Sequence, residues 1–184
     1  MTEVHTLPGR WESATEIVRR FKAKEQSAVE VVTDAFKRID QLNTRYGAVT
    51  FADREGVLES ARGLDRKLAT DQKLGPLAGI PTLMKDLYGF RPGWPTTLGG
   101  FPAARHDIAP ADLWSRYPLQ VTRNDGLLLG QTNSSTFGFC GATDNAIFGP
   151  SRNPFNPSRN SGGSSGGSAV AVATGMVPVA GASD

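Results

Sequence analysis

Two stretches of this sequence carry residue types that can do chemistry. Ser161 to Ser168 reads SGGSSGGS, and Lys85 closes the apolar run LAGIPTLM with Asp86 directly after it. Glycine lets backbone N–H groups approach a ligand closely, while serine brings a hydroxyl that can attack a carbonyl or relay a proton. An amine complements that hydroxyl. Desolvation disfavours an ammonium ion, and a free amine accepts a proton near neutral pH. A lysine after such a run is either a strand-end amine reaching water or a buried one, and the residues alone leave both open. Asp86 is either its counter-ion or a group facing elsewhere. Neighbours on an extended segment point opposite ways, which favours the second.

A glycine–serine octet in isolation reads as a flexible linker, but its flanks argue against that here. Upstream, GPSRNPFNPSRN fixes φ at Pro150, Pro154 and Pro157 and closes turns with Asn and Ser, so the loop is expected to be held. Downstream, the chargeless run Ala169 to Gly175 predicts a buried helix, with Ser168 as its cap and Met176 to Ala180 continuing the apolar stretch. A phosphate loop of the Walker type needs Lys before the Ser or Thr that follows its last glycine. Gly167–Ser168 offers none, which speaks against a nucleotide-binding module.

These groups need a scaffold, and the chain contains its signals. Ser13 with Glu16 and Ser27 with Glu30 have capping-box spacing. After Ser27, the positions Val31, Val32, Ala35, Phe36, Ile39 and Leu42 form one apolar stripe of a helix, with Lys37, Arg38 and Asp40 on its solvated face. Ala48 to Phe51 is a strand candidate. A third helix is expected over about Asp53 to Thr70, with Val57, Leu58, Ala61, Leu64 and Leu68 inward. Ala111 to Arg123 is expected to be mostly helical, with Leu113, Trp114 and Tyr117 inward and an interruption at Pro118. Leu127 to Leu129 reads as a short buried strand.

Composition narrows the classes. The 184 residues are 39% hydrophobic, enough for a core, and 21 Gly with 12 Pro suggest a loop-rich α/β chain. The 20 basic and 18 acidic residues are spread along the chain, which leaves no basic face for nucleic acid and no polybasic anchor. The single Cys140 rules out an internal disulfide and reads as a small apolar filler. His5 lies in the N-terminal tail and His106 in a polar loop, so a metal site is not expected. Met1 to Gly9 lacks the apolar centre of a signal peptide, no run reaches membrane-spanning length, and a soluble, cytoplasmic protein is expected.

Three blocks taken together resemble the amidase signature family: GPLAGIPTLMKDL at Gly75 to Leu87, LLLGQTNSSTFGF at Leu127 to Phe139, and NPFNPSRNSGGSSGGSAVAVATGMVPVAGASD at Asn153 to Asp184. The resemblance implies an α/β chain forming the N-terminal part of that family's α/β/α layered fold around a mixed sheet. Residues from about 10 to 70 would be a helical layer, and about 75 to 184 the start of the catalytic core of a single domain. It further implies hydrolysis of a carboxamide through an acyl-enzyme, with Lys85 as base and Ser164 as the bridging serine, carried in a cis peptide. Ser165 would support that relay. Asn133 would either brace the loop or simply form a turn, and Gly138 with Phe139 would pass the substrate carbonyl. Thr96, Thr97 and Gly99 match a small-residue loop at the site entrance, and Gln131 stands where Lys is usual. The family's nucleophile comes after a Ser-Asp or Thr-Asp pair matched by Ser183 and Asp184, so none is expected within the chain. A non-catalytic truncated fragment, or a subunit of a tRNA-dependent amidotransferase, is the alternative. No cofactor, metal, membrane or direct nucleic-acid contact is implied. A small-molecule amide would be the substrate, and a homodimer is compatible.

Overall fold

The computed structural model describes residues 11–105 and 113–183. The chain begins with helices α1 (Ala14–Lys22) and α2 (Ala28–Tyr46), strand β1 (Val49–Ala52) and helix α3 (Arg54–Ala69). Strand β2 (Pro81–Lys85), helix α4 (Arg116–Arg123), strand β3 (Leu127–Thr132), helix α5 (Gly166–Ala173) and strand β4 (Val179–Ala180) come next. The strands form one mixed sheet in the order β1-β3-β2-β4, with β1 antiparallel to β3 and the β2–β3 and β2–β4 pairs parallel.

Alternation along the strands sorts the core into two layers. Leu83, Leu127 and Leu129 join a cluster with Val32, Phe36 and Ile39 of α2, Val57 and Leu64 of α3, and Val170 of α5. Their neighbours Met84 and Leu128 pack instead with Trp94 and with Val121 of α4. Helices therefore cover both faces, the α/β/α layering expected from the sequence.

The helix starts are set locally. Ser27 accepts from the Glu30 amide while the Glu30 carboxylate accepts from that of Ser27, a complete capping box. At Ser13 only half of the box forms, because the Glu16 carboxylate is taken by Arg19. In α4 the expectation needs correction. The helix starts at Arg116, so Pro118 lies in its first turn, where a missing N–H costs nothing, and does not interrupt it. Leu113 is 44% exposed rather than inward, whereas Tyr117, though 37% exposed, lays its ring against Gly181 and brings its hydroxyl within 2.7 Å of Thr82 Oγ1, and 106–112, which include His106, lie outside the described residues, as does the N-terminal tail. Among the described residues no helix is long and apolar enough to cross a membrane.

Candidate active site

Lys85 is the last residue of β2, in register with Thr132 at the end of β3, so it stands at the C-terminal edge of the parallel strands. The apolar run that builds β2 carries it inward, and it is only 6% exposed. Its Nζ donates to Ser164 Oγ at 2.6 Å and to Ser183 Oγ at 2.8 Å. Of the two readings left open for this lysine, the buried one is correct. Asp86 turns away, as neighbours on a strand should: its carboxylate accepts from the Thr97 amide at 3.1 Å and from the Thr97 hydroxyl. Burial pushes the Asp86 carboxyl above its ordinary range, and the Thr97 bonds oppose that rise.

The glycine–serine stretch is held rather than trailing. The Ser161 amide donates to Ser151 O, Thr143 N to Gly162 O, and Gly167 N to Asn133 O. A Cβ on Gly167 would sit 2.4 Å from the Asn133 nitrogen, so the approach of α5 to the end of β3 requires glycine there. The Gly163–Ser164 peptide is cis. Ser164 is buried, and Ser165 accepts from the Ser183 amide at 3.2 Å.

Ser168 does not cap the helix after it. That helix starts earlier, at Gly166, and leaves Ser168 buried in its first turn. There Ser168 shares a 2.6 Å hydrogen bond with Thr132 and donates to Gly181 O at 2.7 Å. The expected burial of α5 also holds for one face only, since Val172 is exposed.

The remaining positions fall on two sides. Gly138, at φ +72°, packs against the site: an added Cβ would meet Leu87 Cδ2 at 3.0 Å and Ser164 Oγ at 3.4 Å. Phe139 is 90% exposed, its ring pointing to solvent beyond Phe137. Asn133 is buried one step behind the loop, donating to Gly149 O and accepting from Asn145 Nδ2 at 2.6 Å. Gln131 donates to Pro95 O, and its Oε1 has no hydrogen-bond partner. Cys140 is exposed, which corrects its reading as a filler: the turn after Phe139 carries it outward.

Two contributors escape the sequence reading. Ser183 enters it only as one half of a pair that precedes the nucleophile, yet its hydroxyl reaches the Lys85 amine. Thr143 accepts from Gly166 N at 2.9 Å and donates to Ser164 O, which pins the backbone on both sides of Ser165. Nothing in the motif GATD distinguishes Thr143 from a loop threonine. Beside Lys85 and Ser183 lies a cavity of about 260 Å³ walled by Met84, Leu87, Tyr88 and Tyr117. A larger groove of about 440 Å³ lies at the other end of β3, around Gly126 and Leu128, so size does not mark the chemistry.

Fold and site together define an α/β/α protein with an amine and seryl hydroxyls gathered at the carboxyl edge of a mixed sheet. The profile of the family described as Amidase matches residues 30–184. The chain therefore belongs to the amidase family. It is 40% identical over 169 residues to a glutamyl-tRNA(Gln) amidotransferase subunit of Acidothermus cellulolyticus, covering 91% of this chain and 32% of that protein. It is 38% identical over 174 residues to an acylamidase of Rhodococcus erythropolis, covering 95% and 36%. It also matches the crystal structure of a bacterial aryl acylamidase of the amidase signature enzymes family, with a TM-score of 0.90 and 49% identity over 94% of this chain and 35% of that one. The chain spans about a third of the length of these relatives.

Proposed function

We propose that this chain supplies the base and the proton relay of a serine amide hydrolase, with the attacking serine drawn from sequence that lies beyond Asp184 in full-length relatives. The observation that carries the reading is the buried 2.6 Å contact between Lys85 Nζ and Ser164 Oγ, at the end of a loop held on every side. In the reaction, the attacking serine passes its proton to Ser164, whose own proton moves to the Lys85 amine, while the seryl oxygen bonds to the amide carbon. The tetrahedral adduct collapses as the relay runs backward. The proton reaches the leaving nitrogen, the C–N bond breaks and an acyl-enzyme remains. Water, deprotonated by the same relay, releases the acid. Ser183 and Ser165 hold the amine and the loop together, and Asn133 with Thr143 braces the backbone behind them.

The acylamidase relative and the aryl acylamidase structure favour a small acylated amine as substrate. The amidotransferase relatives support a second reading, in which the same relay frees ammonia from an amide within a larger assembly. The full-length protein, assayed against an aryl amide panel and against glutamine, separates the two. In either case Lys85→Ala and Ser164→Ala should each lower turnover by about 10²–10⁴-fold. Undiminished hydrolysis by a folded Lys85→Ala protein would sink both.

A further inference from the structure

We propose that Asp86 is the positioning residue of this site, acting through Thr97 to hold the turn that sets Gly138 against the Ser164 hydroxyl. The inference rests on the serine–lysine reading above.

Asp86 sits next to Lys85 on the same strand end, its amide donating to Thr132 O at 3.0 Å. One short piece of backbone therefore fixes both side chains, which leave it in opposite directions. Asp86 is 2% exposed, and its two oxygens take the two donors of Thr97. The Thr97 hydroxyl oxygen in turn accepts from Gly100 N at 2.9 Å, and Thr97 O from Phe101 N at 2.8 Å. Between these anchors lie Leu98, Gly99 and Gly100, at φ of +52°, +73° and +73°.

This turn carries the next one. Leu98 O accepts from Phe137 N at 2.9 Å, and Gly99 O from the Thr136 hydroxyl at 3.0 Å. A Cβ on Gly99 would lie 2.2 Å from Ser135 O, so the two turns are pressed backbone to backbone. Phe137 is itself at φ +52° and leads into Gly138, whose α-carbon faces Ser164. Leu98 and Phe137 are both non-glycine residues in the left-handed region, a strained conformation that persists only where the surroundings over-determine it. The two strained residues are bonded to one another, and the first of them is tied through Thr97 to a buried carboxylate. If that tie is removed, both turns can relax, and the wall beside Ser164 moves with them.

The test uses the full-length protein and a serine-directed fluorophosphonate probe, with the labelling rate measured at saturation and the half-saturating concentration read separately. A misplacement of about 1 Å at a reacting group lowers rates by as much as 10²-fold. Asp86→Ala and Thr97→Val are each expected to slow saturated labelling at least tenfold at an unchanged circular-dichroism spectrum. Thr97→Ser, which retains both donors, should stay within threefold of wild type. A folded Thr97→Val or Asp86→Ala protein that labels within twofold of wild type overturns the inference. If Asp86→Ala does not fold, Thr97→Val against Thr97→Ser decides alone, and equal slowing in those two also overturns it. Lys85→Ala in the same assay tests the underlying reading: full labelling there, or no labelling of wild type, removes the serine–lysine chemistry itself, whereas loss in Lys85→Ala with none in Thr97→Val removes only the role of Asp86.

Discussion

Gly138 shows how closely a single atom is controlled at this site. It sits at φ +72° with Leu87 and Ser164 on the side where a Cβ would go. Alanine would both strain the backbone and crowd the Ser164 hydroxyl. Gly138→Ala in the full-length protein is expected to lower kcat about tenfold or more while leaving KM within a few-fold, measured on any amide it turns over. Asp86 makes a second prediction, in stability. Burial raises its carboxyl above the ordinary value of about 3.9, so folding favours the protonated form. That stabilising contribution is full below the unfolded-state value and is lost as pH rises through the raised folded one. Relative to wild type, Asp86→Asn should therefore gain stability between about pH 4 and pH 7, as read from urea midpoints at the two pH values. A difference that stays constant with pH would show that burial is not what governs this carboxyl.

At the scale of elements, α2 is the support on which the helical layer depends, and its first turn is served from two directions. Ser27 caps Glu30 N, while Asp65, reaching across from α3, accepts from Ala28 N at 2.7 Å and Val29 N at 3.3 Å. Ser27→Ala should cost about 1 kcal/mol, and Asp65→Ala about 1–2 kcal/mol because it also detaches α3 from α2. Chemical denaturation of the single and double variants checks both values, and strict additivity would show that the two caps act independently. Of these two supports, only the local one is legible in the sequence. Ser27 announces itself by its spacing to Glu30, and the apolar stripes of α2 and α3 by their period. Asp65 makes its contact across 37 residues, and no local pattern encodes that. The same division runs through the site. Lys85 and Ser164 lie in blocks that mark themselves. Ser168 reads as a cap because a serine ahead of an apolar run looks like one, whereas the two preceding glycines have already entered the helix. Periodicity places Leu113 inward, but the helix starts only at Arg116, so Leu113 lies ahead of it on no helical face and is exposed.

For the molecule as a whole, the question is whether residues 1–184 carry enough of the reaction to perform it. The sheet has β4 at one edge, a strand of two residues that pairs only with β2 among the described strands and leaves Val179 exposed. Directly beyond it, Ser183 reaches the Lys85 amine and its backbone reaches Ser165, so the path of the chain after β4 runs straight to the lysine and the serine loop. Proton transfer by the proposed base and relay would be worth about 10²–10⁴-fold, but acyl transfer also needs a nucleophile and oxyanion donors, and the reading above draws the nucleophile from beyond Asp184. The polypeptide 1–184, expressed alone, should on that reading show no amide turnover above its Lys85→Ala counterpart and no fluorophosphonate labelling, whereas the full-length protein should show both. Labelling of 1–184 at a serine that Lys85→Ala protects would place the nucleophile inside these residues and redraw the relay around it.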